Sequence, residues 1–166
     1  MGLLTDLLGD GNATSTSLWV PAGLFQKVAG SPTLDTSRTG GNGWPAWFLD
    51  AASAEAIQVA TLAPPEWGAI NVSVYWSNGG AGAGDVVFNT AWSHQGAGEN
   101  ISSMTAGTTK TVTAPSQFIL KVTTMDAGLT LDSTELTSIR LARVAADAAD
   151  TLANDCVVFG VLLGKA

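Results

Sequence analysis

The clearest rhythm in the chain lies in residues 70–92. In Ile70-Asn71-Val72-Ser73-Val74-Tyr75-Trp76 the apolar residues Ile70, Val72, Val74 and Trp76 fall on one side, and Asn71 and Ser73 on the other. This period of two predicts a strand with one buried face. Asp85-Val86-Val87-Phe88-Asn89-Thr90-Ala91-Trp92 is a second apolar run ending in tryptophan. Between the two lies Ser77–Gly84, which holds no large residue. Two such runs joined by a glycine-rich connection predict an antiparallel pair.

The same rhythm continues on both sides. Leu18-Trp19-Val20, stopped by Pro21, predicts a short first strand. Trp47–Leu49 and Ala56–Leu62 predict two more, the second with Ile57 and Val59 alternating against Gln58. Pro64 and Pro65 make 63–68 a rigid turn, because proline cannot donate within a central strand. After a polar stretch, Ser93–Thr108, strands are predicted over Lys110–Ala114 and Gln117–Thr124 around a Pro115-Ser116 turn, with a small one at Leu129–Leu131. Thr137–Val144 and Cys156–Leu163 complete the set. The last has apolar residues on both faces (Val157, Phe159, Val161 and Leu163 against Val158 and Leu162), the pattern of a strand covered on both sides. Ser31–Gly43 reads as loop, and Ala145–Asn154 is the one place for a turn of helix. Short strands punctuated by glycine and proline predict an all-β chain, an antiparallel β-sandwich of jelly-roll type with about eight principal strands. Met1–Ser17, small-residue-rich and broken by Gly9 and Gly11, is expected to be an N-terminal arm, leaving 18–166 as the sandwich domain.

Composition adds to this picture. Of 166 residues, 13% are charged and 46% hydrophobic, with 19 glycines besides, and the mean hydropathy is +0.25. Ordinary soluble domains carry about 25% charged residues, so coverage of part of the surface by other subunits is expected. Uninterrupted apolar stretches fall short of the roughly 20 residues that a membrane helix needs. Met1–Leu8 contains Asp6 and no basic residue, which argues against a secretory leader. The net charge of −7 is the wrong sign for neutralising phosphates, so neither nucleic acid nor an anionic membrane is expected as a partner.

Motifs for catalysis are sparse. His94 is the single histidine and reads as a polar loop residue after a strand, since common metal sets need a second ligand of its kind. Gly80-Ala81-Gly82 joins two strands instead of opening a helix, which is the wrong setting for a nucleotide loop. Cys156, alone and within an apolar run, reads as a core residue. Arg140, Arg143, Asp147, Asp150 and Asp155 lie close in sequence and predict structural ion pairs, within or between chains. A calcium site or a carboxylate pair for glycoside cleavage are the alternatives. Six tryptophans are present, and Trp44 and Trp67, beside Pro45 and Pro65, are the candidates for exposed aromatic contacts, including stacking on sugars. No cofactor is expected, and the chain reads as non-enzymatic.

From Leu18 to Leu163 the order of features resembles a family of small jelly-roll structural proteins of tailed bacteriophages. The marks are Leu18-Trp19-Val20-Pro21-Ala22, the Pro65-Glu66-Trp67 turn, the Gly84–Trp92 strand, Arg143, Asp150-Thr151, and the Cys156–Leu163 strand with its Phe159-Gly160-Val161 step. The resemblance implies a virion protein, a homotrimer that decorates or cements the phage head by binding the major capsid protein or another virion protein. Met1–Ser17 would then be the capsid-contacting arm. The alternative within the same fold is a tail-fibre adaptor or receptor-binding module that recognises host surface glycans.

Overall fold

The computed structural model describes residues 16–35, 44–62, 64, 66–100, 102–131 and 135–166. Among these the chain forms strands β1 (Ser17–Pro21), β2 (Gln26–Ala29), β3 (Thr33–Asp35), β4 (Ala46–Leu49), β5 (Glu55–Leu62), β6 (Ala69–Asn78), β7 (Asp85–Gln95), β8 (Thr105–Thr113), β9 (Lys121–Thr130), β10 (Leu136–Arg143) and β11 (Cys156–Lys165), with one 3-10 turn at Ala22–Leu24. The strands make two antiparallel sheets. One runs β3-β4-β11-β6-β9, with β1 also paired to β11; the other runs β2-β5-β10-β7-β8. The antiparallel β-sandwich expected from the sequence is the observed architecture. Residues 1–15 of the expected arm lie outside the described residues, and Ser17 already opens β1 in register with Gly164.

The core forms between the sheets from the inward alternation of each strand. Ile70, Val72, Val74 and Trp76 of β6 pack with Cys156, Val158, Val161 and Leu163 of β11 against Ile57, Val86, Phe88, Ile139 and Leu141 of the opposite sheet. Burying each such side chain fully contributes about 1.5–3 kcal/mol relative to leaving it exposed. Burial also pushes the Cys156 thiol well above its ordinary range, outweighing the nearby Arg143 charge. The thiol therefore stays protonated and inert, in line with its expected core role.

The two tryptophan-terminated runs do not pair with each other, contrary to the expectation from their turn. β6 pairs with β11 and β9, and β7 pairs with β10 and β8. Both runs need cover for an apolar face, and they cover each other across the core: Trp76 and Phe88 meet edge to face at 5.1 Å. The glycine-rich segment thus crosses from one sheet to the other. Asn78, fully buried, shapes it by accepting from the Gly80 N–H at 3.0 Å and donating to the Gly82 carbonyl at 2.6 Å.

Other departures follow from exposure and turn chemistry. β2 and most of β3 are exposed edge strands, so they carry no apolar rhythm, and β3 falls inside the expected loop 31–43. β8 begins at Thr105, inside the stretch expected to be polar loop, and is exposed along most of its length. The small strand expected at Leu129–Leu131 is instead the end of β9. Ala145–Asn154 forms no helix. Its backbone makes successive turns, with the Asp147 N–H on the Val144 carbonyl and the Asp150 N–H on the Asp147 carbonyl, both 2.9 Å.

Candidate functional site

β1 alternates Leu18 inward, Trp19 outward and Val20 inward, so Trp19 stands on the outer face of its sheet with 43% exposure. β11 carries a bulge between Val158 and Gly160, and an extra residue in one strand bends it and re-aims its side chains. Phe159 is that extra residue. At Gly160 a Cβ would stand 2.4 Å from the Val20 carbonyl oxygen and 2.8 Å from the Trp19 ring. Only a residue without a side chain lets the indole lie this close over the strand. Tyr75 of β6, opposite Gly160, closes edge to face on Trp19 with ring centroids 5.0 Å apart. Trp44, 59% exposed, stands edge to face on Phe159 at 6.3 Å.

These rings, with Pro21, Pro45 and Leu120, wall an open cleft of about 390 Å³. That volume is within the range of small-molecule pockets, about 300–1,000 Å³. Among the described residues, the walls carry no carboxylate, amine, imidazole or thiol. Its described walls offer flat apolar faces and the phenol of Tyr75. A ligand suited to it has an apolar face for the rings and hydroxyls for their edges. The apolar surface continues over Phe118, Ile119 and Val122, each 48–58% exposed.

Of the two tryptophans expected at the surface, the structure puts only Trp44 there. Trp67 is 1% exposed: the turn closed by the Trp67 N–H on the Pro64 carbonyl at 3.0 Å drops its indole into the core cluster. Sequence reasoning did not single out Trp19, Tyr75, Phe159 or Leu120 for the cleft. The available signals were Trp19 between two inward residues and the Phe159-Gly160 step. His94 belongs to β7 and not to a loop; its ring stacks on Trp92 and contacts the Glu135 carboxylate.

The expected ion-pair group divides. Arg143 and Asp150 form a bidentate pair inside the molecule, Nε to Oδ2 at 3.0 Å and Nη2 to Oδ1 at 2.7 Å, with side chains 0% and 1% exposed. The remaining guanidinium N–H groups reach the carbonyls of Leu49, Asn154 and Leu152, and Asp150 also accepts from the Val87 N–H at 3.0 Å. All five donors are thus met. Asp147 is exposed and caps its own turn by accepting from the Ala149 N–H, and Asp155 is exposed. Arg140 points to the opposite face of β10 from Arg143 and makes no ion pair among the described residues. No three His, Cys, Asp or Glu side chains among the described residues converge in a way that could hold a metal ion.

No family profile matches the chain, and no curated sequence matches it. Solved structures do resemble it. The Clostridium thermocellum xylanase Xyn10B, a CBM22-1–GH10 structure complexed with xylohexaose, is 14% identical with a TM-score of 0.57; the match covers 88% of this chain and 27% of that one. This chain therefore spans about a quarter of that enzyme. The CBM22-2 xylan-binding domain of Paenibacillus barcinonensis Xyn10C is 14% identical with a TM-score of 0.53, over 87% of this chain and 92% of that one. CBM35 of Cellvibrio japonicus Abf62 is 16% identical with a TM-score of 0.52, over 89% and 91%. At such identities the likeness is one of fold. It agrees with the jelly-roll sandwich and gives no support to a capsid-cementing role.

Proposed function

We propose that this chain is a non-catalytic carbohydrate-binding module, and that the cleft of Trp19, Trp44, Tyr75, Phe159 and Leu120 receives the sugar. The observation that carries the proposal is the pair of outward tryptophans fixed by the β11 bulge. Aromatic side chains that a fold does not need for its core, held by packing around an open cleft, are a preformed platform that loses little freedom on binding. Pyranose rings present axial C–H groups on one face and hydroxyls around the rim. The C–H face packs on an indole or phenol, and the hydroxyls meet water and the Tyr75 hydroxyl. The carbohydrate-binding neighbours share this fold, and a cleft whose described walls hold no carboxylate pair suits capture better than cleavage.

A glycan array probed with the full chain, followed by calorimetry with xylohexaose and with the best array ligand, tests the proposal. Saturable binding is expected, weakened about tenfold or more by Trp44→Ala, the order of effect for losing one well-packed aromatic contact, while the thermal midpoint stays near that of the parent. Absence of array binding, or affinity unchanged in both Trp44→Ala and Trp19→Ala, would overturn it.

A further inference from the structure

Arg140 stands in the middle of the outer face of the β2-β5-β10-β7-β8 sheet. Its register partners are Gln58 on β5 and Ala91 on β7, and Gln26 on β2 pairs with Gln58. One row across the sheet therefore reads Gln26, Gln58, Arg140, Ala91. The neighbouring rows are small, Ala60-Ser138-Ser93 on one side and Ala56-Ala142-Asn89 on the other.

The Arg140 Nε is buried and has no hydrogen-bond partner. Buried donors are nearly always met, and one left open calls for an explanation. The outward positions of β5, β10 and β7 in these rows hold no carboxylate, so among the described residues this guanidinium has no counter-charge in these rows. A cavity of about 230 Å³, lined by Leu24, Gln26, Val28, Gln58, Val59 and Ala60, opens beside Arg140, which does not itself line it.

We propose that this row is a second binding subsite, one that takes the carboxylate of an acidic saccharide, a uronate. With Nε buried, the two Nη groups are the end of the guanidinium left to meet the two oxygens of a planar carboxylate. The Gln58 and Gln26 amides, which both donate and accept, suit the hydroxyls that flank a uronate carboxylate on the ring. The net charge of −7 disfavours long polyanions such as nucleic acid, so a short acidic saccharide is the better match. The subsite shares with the aromatic cleft only the class of ligand, and it lies on the other sheet.

Trigalacturonate and its methyl ester are the probes, titrated into the full chain by calorimetry at low salt. The acid is expected to bind about tenfold or more tightly than the ester, as for a charge-assisted bidentate contact. Arg140→Met should remove that preference and Arg140→Lys should restore part of it, since lysine keeps the charge without the fork. Trp44→Ala should leave the preference in place. Equal affinity for acid and ester, binding of neither, or a preference that survives Arg140→Met would each overturn the proposal. Xylohexaose titrated in parallel reports on the aromatic cleft alone, so failure at one face is distinguishable from failure at the other.

Discussion

The inner and outer faces of this sandwich use the same residue types to opposite ends. Arg143 and Arg140 stand three residues apart on β10 and point to opposite sides. Inside, Arg143 meets five acceptors and is 0% exposed; outside, Arg140 keeps a buried Nε without a partner. Tryptophan divides in the same way. Trp76 is fully buried, with its indole N–H on the Thr123 hydroxyl at 2.9 Å, and Trp47 donates to the Ala22 carbonyl at 2.9 Å. Trp19 and Trp44 stand half in solvent around an open cleft. The inward Arg143, Trp76 and Trp47 are satisfied, because leaving such groups unmet costs stability. On the outer faces the remaining capacity of a side chain is available to something else, and the functional readings proposed above all come from that remainder.

The largest test of this contrast is Arg143→Met. It would leave the Asp150 carboxylate buried without its cation, and breaking a buried pair from one side costs about 3–5 kcal/mol. Urea unfolding should show that loss as a lower midpoint with an unchanged slope. Adding Asp150→Leu should recover much of it but not all, because the Val87 N–H would lose its acceptor, at about 1–3 kcal/mol. A single-variant loss below about 1 kcal/mol would remove Arg143 from the architecture and with it half of the comparison.

Gly160→Ala probes the boundary between the faces. The new Cβ would press on the Val20 carbonyl and on the Trp19 ring, a clash with backbone that cannot be relieved by one side-chain torsion. Overpacking of this kind costs about 1–3 kcal/mol, read as a lower thermal midpoint. Because Trp19 must move, glycan affinity should fall together with stability, unlike in Trp44→Ala. A variant as stable as the parent and equally able to bind would show that the cleft does not depend on the bulge.

How much of this was legible in the sequence depended on burial. β6, β10 and β11 announced themselves because one or both of their faces are covered, and a covered face imposes its period on the residues. β2 and the first half of β8 did not: Gln26–Ala29 and Thr105–Thr109 are mostly exposed, and a strand with water on one side of its edge is under little pressure to alternate. Pairing was less legible than existence. The link from Asn78 to Asp85 has the composition of a hairpin, yet local composition does not say whether two strands lie side by side or face to face across the core. For the site, Trp44 was legible from its proline neighbour, and the same clue misled at Trp67, because a turn can aim its aromatic residue either way. The ion-pair cluster could be named from sequence but not divided. That division is set by the parity of β10, which places 143 inward and 140 outward.

The smallest expected effect is the sharpest test of that division. Arg140→Met keeps a long flexible stem over Ala91 and its small neighbours and removes a buried donor that has no partner. If Arg140 is not part of the architecture, stability in urea should stay within about 0.5 kcal/mol of the parent, as for substitutions away from structural features. Loss of the unmet Nε should push any change toward higher stability. A loss above about 2 kcal/mol would mean that the guanidinium holds the sheet together. The two arginines of β10 would then be alike in role, and the outer face would have nothing left over with which to bind a carboxylate. An unchanged midpoint would leave Arg140 as a charge that the fold tolerates without using, which is the condition a binding residue has to meet.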